Sequence, residues 1–234
     1  MRTEVDMTSR LGFLCLLVVF VACNDDAVEN VAVVPDGPTV PVAAAPPPPA
    51  NVNVDLPALP SGDQTLKVST SASKIAFTGA KVTGSHDGLF NTFDGSVVMK
   101  GDEVVGTSFT IDMASVEVDH PKLTEHLLGK DFFYAENYPT SIFSSVDIKP
   151  ADNPGAVTHI VSGVLQLHGK RRPVNFPATI EIGAAAVTVA ASFDINRQNW
   201  GVSYAGKKDD LIKDDVKINL DLNFPISGEP AQAE

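Results

Sequence analysis

Val216–Phe224 reads VKINLDLNF, in which Val216, Ile218, Leu220, Leu222 and Phe224 alternate with Lys217, Asn219, Asp221 and Asn223. An extended chain turns successive side chains to opposite faces, so this segment has one apolar face and one wet face. The same period of two recurs upstream. In VNFPATIEI it gathers Val174, Phe176, Ala178, Ile180 and Ile182, and in VTVAASFDI it gathers Val187, Val189, Ala191, Phe193 and Ile195. VGTSFTIDM repeats it through Val105, Phe109, Ile111 and Met113. Between the runs stand turn signals: SHDG, KGDE, ADNPG, LHGK and YAGKKDD. One stretch departs from the pattern. PKLTEHLLGKDFF places Leu123, His126, Leu127 and Leu128 at helical spacing, with Pro121 suited to a first turn and Gly129 to a stop. The fold class is therefore all-β, with about eight antiparallel strands and a short helical insertion across residues 65–226. Periodicity alone allows a sandwich or a barrel. No internal repeat points to a propeller or solenoid.

The rest of the chain is of a different kind. Arg10 precedes an apolar run, Leu11–Ala22, that is too short to span a bilayer as a helix but suits the core of an export signal. Residues 1–22 are read as a signal peptide, with Met7 an alternative start. The run ends in FVAC, which resembles a bacterial lipobox, although Phe20 stands where leucine is usual. Cys15 falls within the signal, which leaves Cys23 without an intramolecular disulfide partner, and a thioether to lipid would account for it. Residues 23–64 hold more than half of the chain's 17 prolines and no Lys or Arg. Proline removes donors and favours extended backbone, so this part is expected to be a disordered tether; residues 227–234 are expected to be a disordered tail. Acids of the tether supply half of the net charge of −12. No basic stripe of the kind nucleic acid requires appears anywhere.

KDFFYAENYPTSIF, Lys130–Phe143, carries Phe132, Phe133, Tyr134, Tyr138 and Phe143, five of the sixteen aromatic residues. Adjacent phenylalanines in extended chain cannot both point inward, so a turn or helical bend is expected there. The rings either fill a core or wall a site. Sequence motifs for catalysis are missing: no G-x-S-x-G elbow, phosphate loop or His-E-x-x-His occurs. His86, Asp87, Asp119, His120 and His126 match no metal-ligand spacing and read as turn residues, so no metal and no cofactor is expected. His168 sits in a hairpin-like turn beside Lys170, Arg171 and Arg172, a local basic cluster that is either a solvated turn or a phosphate contact.

Five segments in order, SKIAFTGAKVTGSHDGLFNTFDGSVVM, LTEHLLGKDFFYAENYPTSIFSSVDI, VSGVLQLHGKRRPVNF, INRQNWGV and DDVKINLDL, resemble the YceI family of bacterial exported proteins. Where that family commonly has Arg-Asp-His-Leu, this chain has Thr124, Glu125, His126 and Leu127. The resemblance implies a lipocalin-like antiparallel β-barrel around a long apolar cavity, and a periplasmic protein that binds polyisoprenoids or related lipids. Expected to line the cavity are Phe90, Phe109, Ile111 and Met113 from the first strands, and Leu127, Phe132, Phe133, Tyr138 and Phe143 from the helical excursion and its exit. Leu165, Phe176, Ala178 and Ile180 are expected to follow, then Val189, Ala191, Phe193 and Trp200. His168, Arg171 and Arg172 are the candidate head-group contacts, and Cys23 the lipidation site. The expected partners are an isoprenoid or other long apolar lipid and the membrane through the anchor, in the cell envelope; a homodimer is left open. The alternative is a structural or regulatory envelope lipoprotein whose barrel is filled by its own side chains. A metal-dependent enzyme is a distant third.

Overall fold

A computed structural model describes residues 55–152 and 155–226. The chain forms β1 (Gln64–Lys67), β2 (Lys74–Lys81), β3 (Gly84–Phe90), β4 (Phe93–Lys100), β5 (Glu103–Asp112) and β6 (Val116–Val118). There follow α1 (Pro121–Leu128), β7 (Thr140–Pro150), β8 (His159–Leu167), β9 (Lys170–Ile182) and β10 (Ala186–Asn196). A 3-10 turn (Arg197–Trp200) leads to the short pair β11 (Gly206–Lys207) and β12 (Asp210–Leu211), and β13 (Asp215–Pro225) ends the barrel.

All pairings are antiparallel, and they run in a ring. β2 pairs with β3, β3 with β6, β4 with β5, β5 with β7, β7 with β8, β8 with β9, β9 with β10, β10 with β13, and β13 with β2. Two of the eight positions are interrupted strands, β3/β4 and β5/β6. Backbone bonds cross the break, from Asn91 N–H to Ser115 O and from Asp112 N–H to Thr92 O. The expected barrel of about eight strands is thus an up-and-down ring of eight positions. The short β1 on the edge of β4 and the β11–β12 hairpin are additions that the alternation of the sequence did not reveal.

The barrel has a capped end and an opposite end. α1, the β2–β3 and β8–β9 turns, and the connection from β10 to β13 all lie at the capped end, because alternate strands of an antiparallel ring turn at the same end. Pro121 opens α1, where a missing N–H costs nothing. Gly129 closes it at φ −75, an ordinary conformation, so its conformational freedom is not what stops the helix. The left-handed residue comes later, at Tyr134 (φ 47), within the turn expected between Phe132 and Tyr138. That turn is tied back by Phe133 N–H to Leu127 O and Tyr134 N–H to Gly129 O, both 2.9 Å.

Packing extends upstream of residue 65, where the sequence placed the domain boundary. Residues 55–63 lie as a strap over the outer face of β4, β5 and β7. Ser144 Oγ donates to Pro57 O (2.8 Å), Gly101 N–H to Asp63 Oδ2 (2.9 Å), and Asp63 N–H to Met99 O (2.8 Å). Pro60 rests on Gly106, where a Cβ would stand 2.7 Å from its ring. The strap explains why Val98, which meets Gly62, is buried although its side chain points away from the barrel interior. Cys23, the signal peptide, most of the tether and the C-terminal tail lie outside the described residues.

Candidate functional site

Strands β10 and β13 show where the interior is solid and where it is hollow. Val187 faces Phe224 in register, and both are completely buried. Further toward the capped end the inward residues of the same pair, Ala191 against Leu220, Phe193 against Ile218 and Ile195 against Val216, are only half-buried. The accessible surface of Phe193, Ile195, Val216, Ile218 and Leu220 faces an internal cavity of about 220 Å³. Close-packed interiors hold few voids larger than a water, and a single water needs only about 10–15 Å³.

The wall of this cavity is apolar almost throughout. Among the described residues Thr107, Ser141 and Arg197 are its only lining residues with polar side chains. Each turns toward a backbone carbonyl: Thr107 Oγ1 donates to Ser96 O (2.9 Å) and Ser141 Oγ to Gln166 O (2.7 Å). Arg197 is buried, with Nε on Lys213 O, one terminal nitrogen on Val202 O (2.6 Å), and the other on Ile212 O and the Asp214 carboxylate. Burial pushes the guanidinium pKa down from its ordinary value, and Asp214 opposes the shift. The periodicity of the sequence gave no sign of this charge, because it stands in the turn after β10 rather than in an alternating run. The signal available was Asn196, whose side chain caps that turn by accepting from Gln198 N–H.

Phenylalanines shape the lumen through glycines on neighbouring strands. A Cβ on Gly88 would meet the Phe77 ring at 2.3 Å, one on Gly95 the Phe109 ring at 2.3 Å, and one on Gly163 the Phe143 ring at 2.5 Å. Each ring occupies the space above a missing side chain and so lies along the wall, not across the lumen. At the capped end Phe77, Phe90 and Phe133 form an aromatic cluster with centroids 5.6–6.3 Å apart. Phe132, His126 and Tyr204 form a second, with centroids 4.9–5.3 Å apart, that joins the α1 segment to the β10–β13 connection.

Of the residues expected to line the cavity, Phe90, Phe109, Ile111, Met113, Leu127, Phe132, Phe133 and Phe143 do so, as do Leu165, Phe176, Ile180, Val189 and Phe193. Phe132 and Phe133 both reach it because the turn reverses the chain between them and Tyr138. Four expected residues stand off the wall. Tyr138 lies over the β8–β9 turn, its ring in the place of the Cβ that Gly169 lacks and 4.7 Å from the His168 ring. Trp200 is buried as a plug beside β8, with Nε1 donating to Leu165 O (2.9 Å). Ala178 and Ala191 point inward, but one carbon each ends short of the larger neighbours. All five inward residues of β13, read in the sequence only as a strand face, line the cavity.

The basic turn lies outside the lumen. His168 (φ 49) and Gly169 (φ 70) make the two-residue left-handed turn typical of tight hairpins. His168 Nδ1 lies 3.2 Å from Trp200 O, and since a carbonyl only accepts, Nδ1 carries the proton. Arg171 bonds the Gln166 side chain and Asp55, and Arg172 Nε donates to Asn199 O. Both arginines therefore brace the strap and the turn after β10. His86 pairs with Asp119 and His126 with Asp131, and among the described residues no group of three or more metal-capable side chains converges.

An eight-position antiparallel ring around an apolar lumen defines the lipocalin-like barrels. Within that class, residues 66–224 match the model of the YceI-like domain, and the chain belongs to the YceI-like family. It is 26% identical over 139 residues to a UPF0312 protein of Pseudomonas putida strain W619, an alignment covering 56% of this chain and 71% of that one. Among solved structures it is similar to BcnA of Burkholderia cenocepacia, with a TM-score of 0.61, 27% identity, and coverage of 67% of this chain and 98% of the other. A polyisoprenoid binding domain from Saccharophagus degradans, implicated in plant cell wall breakdown, shares the fold with a TM-score of 0.55 at 15% identity, covering 68% and 97%.

Proposed function

We propose that this protein is an exported, membrane-tethered carrier that holds a long apolar lipid of isoprenoid type inside its barrel. The observation that carries this reading is the cavity of about 220 Å³ with its nearly unbroken apolar wall. A barrel filled by its own side chains would leave Val189, Phe193, Ile218 and Leu220 fully buried. The Saccharophagus domain of the same fold, named for polyisoprenoid binding, supports the ligand class. Burial of one CH₂ contributes about 0.8 kcal/mol, so a five-carbon isoprene unit yields about 4 kcal/mol before ordering costs. Few polar contacts are then required, which suits a wall whose polar groups are already bonded. Cys23 at the end of the apolar run supports the tether.

The test is mass spectrometry of an organic extract of the native protein beside a Leu220→Trp variant. Leu220 faces the small Ala191 across the strand pair, so the lumen has room for the larger ring. The variant is expected to melt within a few degrees of wild type while losing co-purified lipid. A wild-type extract free of long-chain lipid, together with early unfolding of the variant, would overturn the proposal.

A further inference from the structure

We propose that the rim formed by Val82 and Leu211 is a membrane-contact face that seats the capped end of the barrel on a lipid bilayer. Val82, in the β2–β3 turn, is 70% exposed and Leu211, in β12, is 50% exposed. They are neighbours, with Val82 N–H donating to Leu211 O (3.1 Å). The next residue, Ile212, bridges to Lys81 and lines the cavity. An apolar pair facing solvent is therefore one residue away from the lumen. Among the described residues the two other large exposed apolar ones have no such setting: Val146 bulges from β7, and Ile182 ends β9 at the opposite end.

Charge favours the same orientation. Lys207, Lys208 and Lys213 are exposed beside the pair, where they balance Asp209, Asp214 and Asp215, and Lys81 is bonded to Asp210. Turns and strand ends at the opposite end carry Asp63, Asp102, Glu103, Asp152 and Glu181 against Lys100 and Lys149. An anionic bilayer repels that end more than the rim. Chain connectivity adds an independent argument. The strap runs from Asp55, paired with Arg171 at the β8–β9 turn, to Gly62 and Asp63 beside the β4–β5 turn. The described chain therefore begins, at Asp55, at the capped end. Two side chains bind a bilayer weakly, but the proposed tether, entering at the same end of the barrel, supplies the effective concentration that makes weak contact suffice.

This docking explains how a ligand would pass between bilayer and lumen if the carrier reading holds, yet its test does not need a ligand. The full chain carrying Leu211→Trp, Val82→Trp or Ile182→Trp is mixed with vesicles of phosphatidylethanolamine and phosphatidylglycerol brominated in the acyl chains. Trp200 in the unsubstituted chain is buried and gives the baseline. The rim variants are expected to lose about half of their added fluorescence, since interfacial side chains sit within about 5–10 Å of the acyl boundary, and Ile182→Trp to lose none. Rim quenching no greater than that of Ile182→Trp overturns the proposal, whether or not the protein sediments with the vesicles, and leaves the rim to a protein partner. Hydrogen exchange on the unsubstituted chain gives a second reading should the rim variants fail to fold. Slowed exchange at 203–212 on adding vesicles supports docking, and unchanged exchange overturns it. A lipid-free extract with a quenched rim would remove the carrier reading and leave the docking face standing.

Discussion

Phe176 on β9 and Phe193 on β10 stack face to face, with centroids 4.2 Å apart and planes 8° from parallel. They do so where the backbone ladder between these strands has ended. β9 pairs with β10 only from Thr179 to Ile182, while β10 from Ala191 to Asn196 pairs with β13 alone. Side chains close this part of the wall. Opening it separates two rings and breaks no ladder bond between these strands, so a lateral route to the lumen is expected here.

Phe193→Ala is therefore expected to speed release of a bound fluorescent lipid at modest cost to the fold. Aromatic pairs contribute about 0.5–1.5 kcal/mol beyond their area, and the half-buried ring adds a further loss below that of a fully buried phenylalanine. Stopped-flow release beside a melting curve checks this; an unchanged release rate would place the route elsewhere.

Gly95→Ala and Gly163→Ala are expected to push Phe109 and Phe143 into the lumen. Overpacking of this kind costs about 1–3 kcal/mol. Gly163→Ala should cost more, because its Cβ would also stand 2.6 Å from the backbone oxygen of Ser144. Both variants should carry less lipid than wild type, as read from extracts of equal protein.

The strap over β4, β5 and β7 makes residues 55–63 part of the folded unit. A chain beginning at Thr65 loses the Ser144–Pro57 and Gly101–Asp63 bonds and exposes Val98. Its melting point is expected to fall by about 5–10 °C, given about 2–4 °C per kcal/mol at this size. Gly106→Val tests the same contact in the whole chain by displacing Pro60; a melting point equal to wild type in both would show that the strap contributes nothing.

Anchoring through Cys23 gives a separate expectation. Cys23→Ser should release the protein from membranes or leave its signal uncleaved, since two acyl chains hold where one does not. Identical fractionation and processing of wild type and variant would remove the anchor from the proposed function.

His159, at the start of β8, has its pKa pushed below the ordinary histidine value by burial, with Glu103 opposing. Its neutral form is thus favoured by folding. Stability should rise with pH up to about 6.5 and fall as pH drops from there through the folded pKa, because the unfolded chain then binds the extra proton. His159→Gln should flatten that part of the melting-point profile against pH.

How much of this was legible in the sequence follows from particular residues. The alternation of Val216–Phe224 set the inward face of β13 by itself, because a strand offers only two faces and one of these is charged. The rings of Phe132 and Phe133 forced a turn for the same reason. The aromatic run at 130–143, however, splits between two fates: Phe132, Phe133 and Phe143 reach the lumen, while Tyr138 lies on the hairpin turn. Only the approach of Gly169 from a distant strand decides that. Trp200 and the arginines at 171 and 172 went to bracing the capped end, because folding brings Leu165 O within reach of Trp200 Nε1, Gln166 and Asp55 within reach of Arg171, and Asn199 O within reach of Arg172. Arg197 entered the cavity wall by the same folding-back of the chain. Whether the barrel is solid or hollow also lay beyond the sequence. Alternation orders side chains along one strand, but the empty volume depends on which glycine meets which phenylalanine across two strands, and on register, which the tertiary structure alone sets.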